Sequence, residues 1–94
     1  MSIAVGDIAK SLNGRDAGMY FVIVGHENEY AFIANGKNRK IEKPKKKKTK
    51  HIRITGKTDE ATATKLACGE KVTNNDIRRA LIEYMTTRNL LGGM

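Results

Sequence analysis

The chain is poor in the residues that build disulfides, membrane helices and aromatic cores. It has no tryptophan and five aromatic rings among 94 residues, so its core must consist mainly of Val, Ile, Leu and Ala. Its one cysteine, Cys68, cannot form an internal disulfide, which fits a reducing compartment. The longest apolar run, residues 19–24, is far shorter than the roughly 18 residues that indicate a membrane helix. The first residues, MSIAVGDIAK, lack a basic-then-apolar secretion pattern. We therefore expect one compact cytoplasmic unit without a membrane partner.

Side chains typical of catalysis and metal binding are also scarce. His26, His51 and Cys68 are the soft metal ligands, and they lack the short paired spacings of a zinc site. No glycine-rich phosphate loop precedes a predicted helix. We therefore expect no catalytic residue, no metal and no cofactor, so the protein is not predicted to be an enzyme. Cys68, at a predicted helix end, is interpreted as a small packing residue.

Acidic residues are nearly missing from one segment, residues 37–53, with the sequence KNRKIEKPKKKKTKHIR. It holds ten Lys or Arg residues and one acid, Glu42, and it accounts for the whole net charge of +8. A dense block of one sign repels itself, whereas a polyphosphate offers counterion release and a strong attractive field. A nucleic acid is therefore the expected partner. A merely solvated lysine loop is the alternative.

Short apolar stretches in the first 55 residues predict five antiparallel strands joined by tight turns. The predicted strands cover residues 8–12, 20–24, 29–34, 40–43 and 51–55. Turns are expected at residues 13–18 and 25–28, and Asn35-Gly36 is the strongest hairpin signal. Pro44, which has no N–H to donate, ends the fourth strand. Because nothing apolar anchors the lysines that follow it, we expect residues 44–50 to be a mobile loop. Five such strands suggest a small closed or nearly closed barrel.

The pattern becomes helical beyond Gly56. Thr58 is predicted to cap a short helix at residues 59–67, and Gly69 ends it. Thr73 precedes a second helix at residues 74–89, with an acid placed for a capping box and an end near Gly92-Gly93. Its apolar stripe is expected to pack on the short helix or the barrel, or alternatively on a partner. The stripe consists of Ile77, Ala80, Leu81, Tyr84 and Met85.

Residues 5–54 carry a recognisable pattern, which includes GDIAKSLNGRDAGMYFVIVGHENEYAFIANGKNRKIEKPKKKKTKHI. They resemble the KOW-motif RNA-binding family, in the form found in bacterial proteins similar to archaeal and eukaryotic large-subunit ribosomal proteins. The motif would run from Gly6 to Ala34, with Gly18 at the characteristic glycine of the family. The resemblance implies that residues 1–56 form a five-stranded SH3-like barrel with the basic loop 37–53. Together with the helical pattern of residues 57–94, expected as two short helices that pack on this barrel, it predicts a mainly β fold with C-terminal α structure.

The resemblance implies RNA binding in the setting of the ribosome or translation. Because side chains fill the interior of so small a barrel, the contacts are expected on loops and the outer surface. Lysine is a point charge on a flexible stem, which favours backbone and shape recognition of structured RNA over reading of base edges. Five lysine–phosphate contacts would give a slope of about −4 for log K against log salt. The expected RNA-binding residues are Asn13, Arg15, Lys37, Arg39, Lys40, Lys43, Lys45, Lys46, Lys47, Lys48, Lys50 and Arg53.

Several alternatives stay open at this point. Arg15 and Arg39 are expected to make the more directional RNA contacts, although Arg15 could instead pair with Asp16. The rings of Tyr20, Phe21, Tyr30 and Phe32 are expected in the core, with base stacking by Tyr20 or Tyr30 as the alternative. The expected partners are RNA, above all ribosomal RNA, and ribosomal proteins, and the free chain is expected to be a monomer. The alternative function is a protein-interaction adaptor that docks a partner through the barrel surface or the 74–89 helix.

Overall fold

The computed structural model describes residues 3–92, which form five β-strands, one 3₁₀ turn and two α-helices. The remaining residues at the two ends, among them Gly93 at the predicted end of the second helix, lie outside the described residues. The strands are β1 (Asp7–Ser11), β2 (Tyr20–Glu27), β3 (Tyr30–Ala34), β4 (Lys45–Lys48) and β5 (Ile52–Thr58). The 3₁₀ turn is Thr49–His51, and the helices are α1 (Glu60–Cys68) and α2 (Asn74–Gly92).

The strands form one antiparallel sheet in the order β4-β3-β2-β1-β5. The first four follow one another along the chain, and β5 returns to pair with β1, with Ile54 opposite Ala9. No ladder joins β4 to β5 within residues 3–92, so the sheet is open and a closed barrel is not found. The prediction of five antiparallel strands followed by two helices is confirmed.

Two glycines that were expected to end strands lie inside them. β2 continues through Gly25 to Glu27, and its register with β3 shifts between Ile23 and Gly25. β5 continues through Gly56 to Thr58, beyond the predicted boundary, and its register with β1 is also irregular. A glycine within a strand often marks a bulge where another group approaches closely. At position 25 that group is the Phe32 ring, which would lie 3.2 Å from an added Cβ.

The fourth strand is the lysine run itself, so the prediction of a strand at residues 40–43 and of a mobile loop at residues 44–50 is wrong. β4 pairs with β3 along its whole length as an edge strand. Edge strands accept lysines because charged side chains there discourage further pairing. The connection before β4 is held by side chains: Asn35 Oδ1 accepts from the backbone N–H of Lys37 and of Arg39, each at 3.0 Å.

The sheet buries apolar side chains on both faces. One face forms a cluster of Ala9, Phe21, Ile23, Ala31, Ile33 and Ile52. The other face places Ile8 and Val22 against Ile77 and Ala80 of α2, which are almost completely buried. The apolar stripe of α2 is therefore covered at its centre by the sheet of the same chain. Neither described helix combines the length and apolar character needed to cross a membrane.

Both helices begin at side-chain caps. α1 starts after Asp59, whose carboxylate accepts from the Thr62 N–H at 3.0 Å, so Thr58 is not the cap. Gly69, with φ of 74°, ends α1 as predicted. At α2 the predicted capping box is confirmed, since the Asp76 N–H donates to Thr73 Oγ1 and the Thr73 N–H donates to the Asp76 carboxylate. α2 runs to Gly92, three residues past residue 89 but at the first glycine of the predicted stop.

Two glycines with similar backbone angles provide a matched test of the contact between α1 and the sheet. Gly6 and Gly18 have φ of +93° and +88°. A Cβ at Gly6 would lie 2.6 Å from Ala63 Cβ, whereas nothing lies within 4 Å of one at Gly18. Gly18→Ala should cost about 1 kcal/mol for the left-handed backbone. Gly6→Ala should cost about 2 kcal/mol more, because α1 must shift. Urea unfolding measures both, and equal losses would contradict the close approach.

Candidate nucleic-acid interface

The strand geometry of β4 divides its four lysines between the two faces of the sheet. Side chains alternate along a strand, and partners opposite each other in the register share a face. Lys45 and Lys47 therefore lie on the face of the buried residues of β3, opposite Ile33 and Ala31. Lys46 and Lys48 lie on the other face. The lysine run thus has one inward and one outward set.

The inward lysines meet the turn between β1 and β2. Lys47 is 7% exposed, and its Nζ donates to Asp16 Oδ1 at 2.7 Å and to the carbonyl oxygen of Asn13 at 2.6 Å. Lys45 Nζ donates to Asp16 Oδ2 at 3.0 Å, and Ser11 Oγ donates to Asp16 Oδ1 at 2.7 Å. We call Ser11, Asp16, Lys45 and Lys47 the Asp16 cluster. It ties β4 to the turn of residues 13–18, so these two lysines are engaged within the fold.

The electrostatics of the Asp16 cluster favour the ionised carboxylate. Burial of Asp16 disfavours the charged form, but hydrogen bonds from Lys47, Ser11 and Lys45 outweigh it, so the pKa of Asp16 lies well below its ordinary value. The alternative pairing of Arg15 with Asp16 is not present, because both carboxylate oxygens face other donors. Arg15 makes no ion pair with any residue in the described range.

Most of the other expected RNA-binding residues have exposed side chains. Lys47 is buried, and Lys45 and Lys48 are half-buried. Gly18, the expected motif glycine, lies exposed in the β1–β2 turn. The exposed set consists of Asn13, Arg15, Lys37, Arg39, Lys40, Lys43, Lys46, Lys50 and Arg53. None of the exposed lysines and arginines makes an ion pair within residues 3–92.

The aromatic rings have neighbours inside the protein. Phe21 is buried in the core, and Tyr20, Tyr30 and Phe32 are half-buried. The Lys46 ammonium lies 4.6 Å from the centre of the Tyr30 ring. The centres of the Tyr20 and Tyr84 rings lie 5.4 Å apart. A cation–π contact contributes about 0.5–1 kcal/mol at an exposed site, and an aromatic pair about 0.5–1.5 kcal/mol. The rings therefore support the fold and its cations, and none of them is fully exposed as a stacking platform.

A surface cleft of about 250 Å³ brings together the two arginines that the sequence marks for directional contacts. The backbone of Arg39 is fixed, because its carbonyl oxygen accepts from the N–H of Asn35 at 2.8 Å and of Gly36 at 3.0 Å. We call this the Arg15–Arg39 cleft. Sequence reasoning missed it, because its walls are about two dozen residues apart in the chain. It is lined by Arg15, Asp16, Met19, Phe21, Asn38, Arg39 and Lys45.

The metal-ligating side chains stay apart from one another. His26 is exposed on β2, His51 lies in the 3₁₀ turn, and Cys68 is exposed at the end of α1. The interpretation of Cys68 as a packing residue is therefore wrong, because the helix turns this position outward. No group of three His, Cys, Asp or Glu residues in the described part of the chain could hold a metal ion.

Lys47, with its buried ion pair, should contribute far more to stability than Lys46, which lies on the opposite face of β4. Lys47→Ala removes one partner of a buried pair and should cost about 3 kcal/mol in the free energy of unfolding. Lys46→Ala removes an exposed cation from β4 and should cost less than about 1 kcal/mol. Urea unfolding at neutral pH compares the two. Similar losses for both variants would show that the Asp16 cluster does not hold β4.

The low pKa of Asp16 also predicts how stability depends on pH. A carboxylate with a lowered pKa in the folded state stabilises fully above its unfolded pKa, and this contribution is lost as the pH falls towards the folded pKa. The free energy of unfolding of wild type should therefore exceed that of Asp16→Asn by a constant amount above about pH 5. This difference should shrink as the pH is lowered further. Unfolding curves at several pH values test this. A difference that stays constant into acid would contradict it.

Two comparisons, with protein-family models and with curated proteins, found no match. The site is therefore defined by its own residues, by their charges and by the geometry described above.

Proposed function

We propose that the protein binds structured RNA of the translation apparatus, chiefly through its sugar-phosphate backbone. One observation carries the proposal: within residues 3–92, the basic residues of the segment 37–53 outside the Asp16 cluster make no ion pair. The acid of that segment, Glu42, accepts hydrogen bonds from Asn74. The basic residues of the segment that make no ion pair are Lys37, Arg39, Lys40, Lys43, Lys46, Lys48, Lys50 and Arg53.

Order in the lysine run supports this function. β4 is a hydrogen-bonded strand held by the Asp16 cluster, so the backbone that carries Lys46 and Lys48 is fixed before any ligand arrives. Binding then costs less conformational entropy than it would for a disordered tail. Flexible lysine heads on a rigid strand suit phosphate oxygens, which demand charge more than fixed geometry.

We further propose that the five strands curve into a nearly closed barrel of the KOW, SH3-like kind. Two features support this: β5 returns to β1 at one edge, and the Asp16 cluster links the other edge strand, β4, to the β1–β2 turn through side chains. The setting in translation, with ribosomal RNA and ribosomal proteins as partners of a monomeric chain, rests on the resemblance of residues 5–54 to that family.

A second function, that of a protein-interaction adaptor, is favoured by one apolar surface. Met19 and Ile82 are exposed, and they line a groove of about 400 Å³ with Leu81 and Met85. The centre of the α2 stripe is already covered by the sheet, so an adaptor would use this flank of the helix. RNA binding remains the better-supported function, because edge protection and the Asp16 cluster involve only the lysines of β4, whereas Lys37, Arg39 and Lys40 lie outside β4 and make no ion pair within residues 3–92.

The salt dependence of binding separates the two functions. The double variant Lys46→Ser, Lys50→Ser should bind a folded ribosomal RNA fragment more weakly, with a slope of log K against log salt shallower by about 1.5. The control Lys57→Ser, Lys71→Ser loses the same charge at exposed positions outside the basic segment. It should change the slope by less than half as much. Fluorescence anisotropy over a series of KCl concentrations measures both slopes.

Three outcomes contradict RNA binding by the basic segment. If wild type shows no affinity for folded RNA at low salt, RNA binding is excluded. If the two double variants change the slope equally, the basic segment is excluded as the RNA-binding surface. Full retention of ribosome binding by the Lys46, Lys50 variant, with no salt dependence, would favour the adaptor function.

A further inference from the structure

We propose that the Arg15–Arg39 cleft receives one unpaired nucleotide of the bound RNA. This inference rests on the proposed RNA binding and adds to it a site that reads local RNA structure. Backbone contacts through lysines do not distinguish a fully paired helix from one with an extruded base. A cleft that holds a single base would do so.

The charges of the cleft suit an anionic group with directional acceptors. Arg15, Arg39 and Lys45 line it against one carboxylate, that of Asp16. Because Asp16 already accepts from Lys45, Lys47 and Ser11, it does not neutralise either guanidinium. Guanidinium groups bind phosphate oxygens in a planar fork and also stack on bases.

The uncharged part of the lining suits a base. Met19, at 37% exposure, gives the lining an apolar side chain that a base can contact, and the buried Phe21 lies behind the lining. Asn38 Oδ1 accepts from Asn35 Nδ2 at 2.8 Å, which leaves the Asn38 amide hydrogens to donate to another acceptor. A bare phosphate would use the arginines alone, whereas a nucleotide uses the cations, the apolar surface and the amide together.

The size and rigidity of the cleft limit its occupant. Its volume, about 250 Å³, lies below the usual ~300–1,000 Å³ of small-molecule pockets, which favours one nucleotide over two. Asn35 fixes the backbone of Arg39 on one wall. On the other wall the turn of residues 13–18 is held by the Asp16 cluster and by the Gly18 N–H, which donates to the Ser11 carbonyl oxygen at 2.8 Å. The cleft is therefore preformed.

Two RNA hairpins that differ only by one unpaired bulge nucleotide test the proposal. By fluorescence anisotropy at one salt concentration, wild type should bind the bulged hairpin about tenfold more tightly than the paired one. Arg15→Lys and Arg39→Lys keep the charge but remove the planar fork, so this ratio should fall close to one. Affinity for the paired hairpin should change less than twofold. Arg88→Lys makes the same chemical change at an exposed position outside both the cleft and the basic segment, and it should keep the tenfold ratio.

The outcomes that overturn the proposal differ from those that overturn RNA binding. Equal wild-type affinity for the two hairpins, or a ratio unchanged in both cleft variants, excludes the nucleotide site while backbone binding stands. Absence of binding to either hairpin excludes both. A hexaglutamate peptide that displaces the bulged hairpin from wild type, but not from the Arg39→Lys variant, would instead make the cleft a site for an acidic protein segment.

Discussion

The buried ion pair between Asp16 and Lys47 is the contact on which the arrangement of the basic segment depends. Withdrawing a lysine and a carboxylate from water is costly, and their attraction offsets this only when further hydrogen bonds satisfy both groups. Here Ser11, Lys45 and the carbonyl oxygen of Asn13 supply those bonds. Every buried side-chain polar atom in the described residues has a partner. The pair joins chain positions 31 residues apart and so holds the edge strand against the first hairpin.

This contact also gives the lysine run two roles. The inward lysines, Lys45 and Lys47, pair with Asp16 and hold β4 in place. Lys46 and Lys48 therefore lie on the opposite face of the strand. An edge strand exposes unpaired backbone groups, and charged side chains along it discourage association with another sheet. The same outward cations offer a polyphosphate a fixed row of charge. Protection of the edge and the proposed attraction of RNA thus depend on one strand and on its register with β3.

The second helix contributes to the basic surface by holding the loop that precedes β4. Asn74 Oδ1 accepts from the Ile41 N–H at 2.8 Å, and the Arg78 guanidinium donates to the Gly36 carbonyl oxygen. Gly36 lies so close to α2 that an added Cβ would be 2.6 Å from the Asn74 carbonyl oxygen. Since this loop carries Arg39, the helix that packs on one face of the sheet also positions one wall of the Arg15–Arg39 cleft.

The sequence by itself determined the features that depend on near neighbours: where the charge lies, that five strands precede two helices, and how Thr73 and Gly69 bound those helices. Only the tertiary structure decided which residues form the fourth strand, because lysine has little strand preference of its own and β4 exists through pairing with β3. It likewise decided that Lys47 is buried and that Arg15 meets Arg39 across a cleft. Those outcomes depend on contacts between residues far apart in the chain, which no local pattern encodes.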